Sequence, residues 1–337
     1  MQTHADGVTA KPDDAVAIAL PHEGTAATVD VGSNPVAVIV GGAGEVNLAG
    51  SGPATVFASN EGNTITAGAG DATIHGGAGA DQLSGGTDGG NHALHAAGSG
   101  DTLIGGLGTD TLWGSSTGAS LLVGGQNGGT EIHAGTAGGD TIRSSGGMET
   151  IYGGNATIYA SGHSATIHAD GDSVQASGEG ATIDGSASAQ ALHVESGGGF
   201  ADILGGAGND TIVLHDTSGG HNTIVAGAGD DHLTASAAGY NHLDGGAGDD
   251  SFFGHGMSDS MVGGDGSDYF TIYGGGTGSD TLDGGAGHDS VWFESRYSTD
   301  AQIDHTTAGM HLSFDDGYSA TLNGIENIRF EDTVLSG

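Results

Sequence analysis

From Val38 to Val291 a single apolar residue recurs along the chain, most often nine positions after the last and otherwise mostly seven to twelve. Val38, Val56, Ile65, Ile74, Leu83, Leu94, Leu103 and Leu112 open the series; Leu192, Ile203, Ile212, Ile224, Leu233, Leu243, Phe252, Met261, Phe270, Leu282 and Val291 close it. Runs such as Thr64-Ile65-Thr66 and Thr211-Ile212-Val213 are too short for a helix, and they alternate as a strand with one inward side chain does. One strand of this kind cannot bury its apolar residue alone. Consecutive units must therefore coil into two facing sheets, two units per turn, so that neighbours supply the core. About twenty-nine such units give about fourteen coils of an all-β solenoid.

Glycine supplies 71 of 337 residues while only 35% are hydrophobic and 5% aromatic, so no wide globular core is available. Because these glycines are periodic, they indicate an array of tight turns and not disorder. Against 42 acidic residues stand 4 basic ones, a formal charge of −38. That balance excludes nucleic acid as a partner, since phosphate binding needs a basic surface. It also sets carboxylates against one another unless cations neutralise them. There is no cysteine, hence neither a disulfide framework nor a thiolate metal site.

All four prolines fall within the first 53 residues. Proline cannot donate to a sheet ladder, so residues 1–28 read as a polar arm and residues 29–292 as the coil. Met1 to Leu20, with Lys11 and a short apolar run from Ala15, does not read as a secretory signal peptide. No apolar stretch approaches the roughly 20 residues of a membrane span. After Trp292 the period stops. Met310–Phe314, Tyr318–Asn323 and Ile325–Phe330 alternate as ordinary strands, with Asp316-Gly317 as a turn, so residues 293–337 read as a small β cap over the open end.

Many units have the fuller form Gly-Gly-x-Gly-x-Asp-x-apolar-x: Gly76–Ser84, Gly105–Trp113, Gly205–Val213, Ala226–Thr234, Gly245–Phe253, Gly263–Thr271, Gly275–Asp283 and Gly284–Trp292. Gly254–Val262 matches more loosely. The paired glycines, Gly206 and Gly208, Gly227 and Gly229, Gly246 and Gly248, Gly264 and Gly266, Gly285 and Gly287, permit positive φ and leave backbone carbonyls pointing inward. The sixth-position aspartates Asp81, Asp101, Asp110, Asp210, Asp231, Asp250, Asp259, Asp268, Asp280 and Asp289 supply hard anionic oxygens. Calcium takes 6 to 8 such oxygens at about 2.3 to 2.6 Å, so one loop is too few and two stacked loops are needed.

Successive turns fall on opposite edges of a coil, and an ion must be shared by units two apart. From Gly205 onward one edge carries Asp210, Asp231, Asp250, Asp268 and Asp289; the other carries Asn222, Asn241, Asp259 and Asp280 in partly shortened loops. The expectation is a calcium ladder along the first edge and a sparse, partly metal-free second edge. Nearer the N-terminus Asp81 and Asp101 share one edge, and Asp71, Asn91 and Asp110 the other. Residues 115–199 keep the apolar period but largely lose the sixth-position aspartate, so that stretch is expected to coil without metal.

These repeats resemble the RTX (repeats-in-toxin) family of hemolysin-type calcium-binding proteins. The resemblance implies a parallel β-roll with Ca2+ between turns that folds outside the cell. It also implies export by a type I secretion system reading an uncleaved C-terminal signal, and Leu322–Asp332 looks like the strand-rich segment that follows such repeats.

His75, His95, His133 and His168 stand at or near the strand position after the inward residue, where they would form outward columns open to metal or proton. Gly114-Ser115-Ser116-Thr117-Gly118 has the spacing of a hydrolase nucleophile elbow without the helix such a turn needs. No His-Glu-x-x-His metalloprotease motif occurs. Repeats and cap consume nearly all residues, which points away from an enzyme. The expected protein is a secreted, non-catalytic calcium-binding structural or surface component of a filament, surface layer, matrix or adhesin. It would be extracellular or on the cell surface, self-associating as a homo-oligomer or filament, with a cell-surface or matrix polysaccharide as a further partner. The alternative is the calcium-folded export module of a larger secreted enzyme or toxin.

Overall fold

The computed structural model describes residues 16–19, 26–127, 129–217, 219–255, 257–274, 276–306 and 309–336. Apart from one 3-10 turn at Ser298–Asp300, every regular element among them is a strand, and the fold is a parallel β-solenoid of about fourteen turns. The chain forms two compact units, Met1–Ile167 and His168–Gly337.

In the first unit, strands alternate between two parallel sheets. The front sheet stacks Val16–Ala19, Val36–Val40, Ala54–Phe57, Ala72–His75, His92–His95, Thr111–Trp113, Glu131–His133 and Thr150–Tyr152. The back sheet stacks Ala26–Asp30, Gly44–Ala49, Asn63–Thr66, Gln82–Ser84, Thr102–Ile104, Leu121–Val123, Thr141–Ser144 and Thr157–Ala160. The register aligns one apolar residue per strand. Val38, Val56, Ile74, Leu94, Leu112, Ile132 and Ile151 make one fully buried column; Val46, Ile65, Leu83, Leu103, Leu122, Ile142 and Ile158 make the other. Each such side chain contributes about 1.5–3 kcal/mol on leaving water. The core is thus two files of aliphatic side chains between the sheets, which a glycine-rich chain can fill.

The coil begins ahead of residue 29. Val16–Ala19 pairs with Ala37–Val40 and Ala26–Asp30 with Glu45–Ala49, burying Ala17, Ala19, Ala27 and Val29. The expected polar arm is therefore shortened by two strands, and the rest of it lies outside the described residues. Small alanines make this start hard to see, because they satisfy the inward position without raising the local hydrophobicity. Pro35 and Pro53 stand just before strands, and the Pro53 carbonyl accepts the Val36 N–H at 3.0 Å.

The second unit repeats the plan. Its front sheet stacks Thr182–Asp184, Asp202–Gly206, His221–Ala228, Tyr240–Ala247, Ser260–Asp265, Ser279–Ala286 and Ser319–Asn323. Its back sheet stacks Ser173–Ala176, His193–Ser196, Thr211–Leu214, His232–Thr234, Ser251–His255, Tyr269–Tyr273, Ser290–Glu294 and Asn327–Arg329. Leu192, read as an inward strand residue, is buried but sits in a loop; Val194 fills the strand position. The tail adds one parallel strand to each sheet. Before them in the chain it pairs Ala301–Thr306 antiparallel with Gly309–Phe314, which in turn lies against Ser319–Asn323, and after them it ends on the antiparallel edge strand Val334–Ser336. Arg296, 6% exposed, lies over the Phe314 and Tyr318 rings and pairs with Asp316 at 3.0 Å, locking this tail down.

Candidate metal centre

Where the chain passes from front to back sheet in the second unit, Asp210, Asp231, Asp250, Asp268 and Asp289 stand one above another, each at most 2% exposed. Their Oδ1 atoms are spoken for. The N–H of Asp210 donates to Asp231, that of Asp231 to Asp250, of Asp250 to Asp268 and of Asp268 to Asp289, at 2.6–2.9 Å. Leu192 donates to Asp210 below, and Asp289 donates to Glu326 of the tail above, both at 2.8 Å. The Oδ2 atom of all five aspartates is buried without a hydrogen-bond partner.

The glycines explain the free oxygens. Gly246 and Gly248 have φ of 104° and 133°, and every other second- and fourth-position glycine of these loops except Gly208 is likewise positive. Positive φ turns the loop amides away from the aspartate. The fourth-position N–H groups of Gly229, Gly248 and Gly266 donate to the carbonyls of Ala247, Asp265 and Ala286 one coil on. The stacking leaves no space for side chains, since a Cβ on Gly248 would lie 2.0 Å from the Gly229 carbonyl oxygen.

The first unit closes the equivalent loops differently. Asp81 Oδ1 accepts the Asn63 N–H at 2.7 Å and its Oδ2 accepts the Gly77 N–H at 2.6 Å. Asp101 accepts from Asp81 with one oxygen and from Ala97 and Gly98 with the other. Asp110 accepts from His92 and from Gly106, and Asp140 from Ser120 and Gly135. Gly77, Gly79, Gly106 and Gly108 stay outside the positive-φ region. The same sequence pattern thus occurs in two states: a clasped loop, in which the carboxylate holds its own loop amides, and an open one, in which it presents a bare oxygen.

On the opposite edge of the second unit the sixth-position side chains zip to one another. Asn222 donates to Asn241 at 3.0 Å and Asn241 to Asp259 Oδ1 at 2.9 Å, and the Asp259 N–H donates to Asp280 Oδ1. Asp259 Oδ2 is bare, whereas Asp280 Oδ2 accepts the Tyr318 hydroxyl at 2.5 Å. A phenol from the tail occupies the oxygen that a cation would take. Gly275, which opens the expected repeat Gly275–Asp283, lies outside the described residues.

Sequence reasoning misplaced two participants and missed others. Asp71 and Asn91 hold the fifth loop position, not the sixth, which belongs to Ala72 and His92; Asn91 donates its N–H to Asp71, and Thr109 to Asn91. An outer fifth-position file also runs through Asn209, Asp230, Asp249 and Ser267. Its only signal in the sequence is the recurrence of Asn, Asp or Ser before the repeat aspartate. Glu149 occupies a sixth position in the aspartate-poor stretch, wholly buried with neither carboxylate oxygen bonded. Burial pushes its carboxyl up to about 7. Glu326 was hidden because it continues the acidic column from beyond the last nonapeptide.

Burial is also the main reason that the open column holds its protons tightly. Asp231 and Asp250 are pushed up to about 7 and Asp268 to about 6, with neighbouring carboxylates of the inner and outer files adding to the effect. Across the unit Asp259 rises to about 7 and Asp280 to about 6 for the same first reason. Among the described residues no three His, Asp or Glu side chains converge on one point. A cation held here must take most of its oxygens from loop carbonyls, with the bare Oδ2 atoms supplying charge. That donor set, all hard oxygen, suits Ca2+.

A parallel β-solenoid whose turns stack open acidic glycine loops belongs to the class of cation-binding repeat proteins. The RTX calcium-binding nonapeptide repeat, in its four-copy form, matches residues 57–91, 94–116, 196–214, 216–238, 237–270 and 272–295. These stretches are RTX-type calcium-binding repeats, and Ca2+ is the ion that such repeats bind. No curated protein matches it. The unmatched residues 117–195 coincide with the stretch poor in sixth-position aspartate. No helix of the described residues is long and apolar enough to cross a membrane.

Proposed function

We propose that the chain is a secreted, non-catalytic structural or surface protein, stiffened by calcium taken up along the front-to-back edge of its second unit. The bare, buried Oδ2 atoms of Asp210, Asp231, Asp250, Asp268 and Asp289 carry this reading. A buried carboxylate left unpaired is costly, and calcium between stacked loops removes that cost while using the inward carbonyls of Gly206, Gly208, Gly227, Gly229, Gly246, Gly248, Gly264, Gly266, Gly285 and Gly287. Asp259 is proposed as a separate ligand on the other edge, and Asp280 as a weaker one because the Tyr318 hydroxyl must first be displaced. At Asp81, Asp101 and Asp110 calcium would have to displace loop amides, so we assign them the weakest sites.

RTX repeats are typical of proteins exported by type I systems into calcium-rich surroundings, which supports an extracellular or cell-surface location and a role for the tail in export. Self-association into an oligomer or filament belongs to the same reading. So does a matrix or cell-surface polysaccharide as a further partner. Calorimetric titration with calcium tests the assignment. Wild-type protein should take up several ions, and Asp250→Asn should lose at least one of them while retaining its fold. Unchanged stoichiometry and affinity in that variant would refute the calcium column.

A further inference from the structure

On the outside of the front sheet of the first unit, Phe57, His75, His95, Trp113, His133 and Tyr152 stand in one straight file, each in register with the next. Their ring centroids are 5.1, 4.7, 4.1, 5.7 and 4.5 Å apart, and successive rings lie within 19° of parallel. Phe57 is 47% and Tyr152 37% exposed, and Ile39, one rung before Phe57, is 44% exposed. The only other outward row on this face passes through Thr55, Thr73, Thr111 and Thr150. In a chain of charge −38, these two rows between Ala37 and Tyr152 hold one carboxylate, Glu131, and His133 binds it at 2.7 Å. The corresponding rows of the second unit carry Asp184, Asp202, Asp244 and Asp283.

We infer that this strip is the surface through which two copies of the chain associate, a deepening that rests on the self-association named above. Charge decides the occupant. Two molecules of this charge repel wherever acidic faces meet, and this strip is where they can approach without that penalty. Ring geometry agrees. Each ring covers the face of its neighbour, so a sugar, which would need an open aromatic face, meets only ring edges. The file is therefore a narrow apolar ridge. Beside it, past the threonine row, lies a groove of about 610 Å³ walled by Pro35, Pro53, Thr73, Asn91 and Thr111, with Asp71 at its far side. A two-fold axis running along the threonine row sets the ridge of each copy over the groove of the other, which makes the face self-complementary. Seven rungs at ~4.8 Å and two rows of width cover roughly 450 Å² per copy, near the low end of specific interfaces, so the dimer is a weak one.

Sedimentation velocity of the calcium-saturated chain over about 1 to 100 μM tests this. Wild type should pass from monomer to dimer, Trp113→Lys should weaken the dimer at least tenfold, and Thr73→Cys should crosslink to itself on mild oxidation in a chain that has no other cysteine. A strictly monomeric wild type would overturn both the strip and self-association. Association unchanged by Trp113→Lys, with Thr73→Cys uncrosslinked, would overturn the strip alone. Retardation in a gel of neutral polysaccharide that is lost in Trp113→Lys, without a dimer, would overturn it in favour of a glycan.

Discussion

One side-chain oxygen separates the two kinds of loop. Asp81 and Asp250 occupy the same motif position and are equally buried, yet the second oxygen of Asp81 holds an amide and that of Asp250 holds nothing. Asp81→Asn should therefore cost about 1–3 kcal/mol with or without calcium, because a buried N–H loses its acceptor. Asp250→Asn keeps its Oδ1-type contact and should be close to neutral in chelator but clearly destabilising in calcium; thermal melts in both conditions distinguish them. Proton binding follows the same logic. Asp231, Asp250 and Asp259 sit near 7 when folded, above the unfolded carboxylate range, so the calcium-free second unit binds protons more tightly than the unfolded chain does. The stability from these groups should be whole below about pH 4 and fade as pH rises towards about 7. Calcium takes the deprotonated form, so its affinity should rise over that same window. Melts in chelator and calcium titrations, each from pH 4 to 8, check both slopes. The aspartates and their edge were legible as sequence. Which oxygen is free was not, because it depends on a peptide orientation at the second glycine that Gly77 and Gly246 share the freedom to adopt.

At the scale of the coil, the inward residue and the loop do separate work. Leu112→Ala removes a side chain from a buried file and should cost about 2–5 kcal/mol irrespective of calcium. Gly248→Ala places a Cβ at φ 133°, 2.0 Å from the Gly229 carbonyl oxygen, and should cost about 2 kcal/mol or more. Its effect on calcium affinity should exceed that of Leu112→Ala, as paired titrations would report. The strand period was readable from Val56 onward because each inward residue is large and isolated, whereas Val46, with Leu48 two places on, was passed over between Val38 and Val56. It failed at Leu192, where a loop leucine imitates the strand residue two places before Val194, and before Val29, where alanines fill the core.

For the whole chain, these observations divide the labour between the two units. The first, through Ile167, closes its loops with carboxylate clasps at Asp81, Asp101, Asp110 and Asp140 and should therefore fold without metal. The second, from His168, stacks five uncapped aspartates that need a counter-ion. Sequence alone suggested aspartate-based sites at both ends of the coil and favoured the second, where the spacing is regular; it did not show the loop state that separates them, since the nonapeptide is the same in both. Hydrogen exchange read by mass spectrometry, in calcium and in excess chelator, tests the division directly. Strand amides over residues 54–160 should stay protected in both conditions, while those over residues 202–294 should be protected in calcium and exchange at least a hundredfold faster without it. Equal protection of the two units in chelator, or equal loss, would contradict the account.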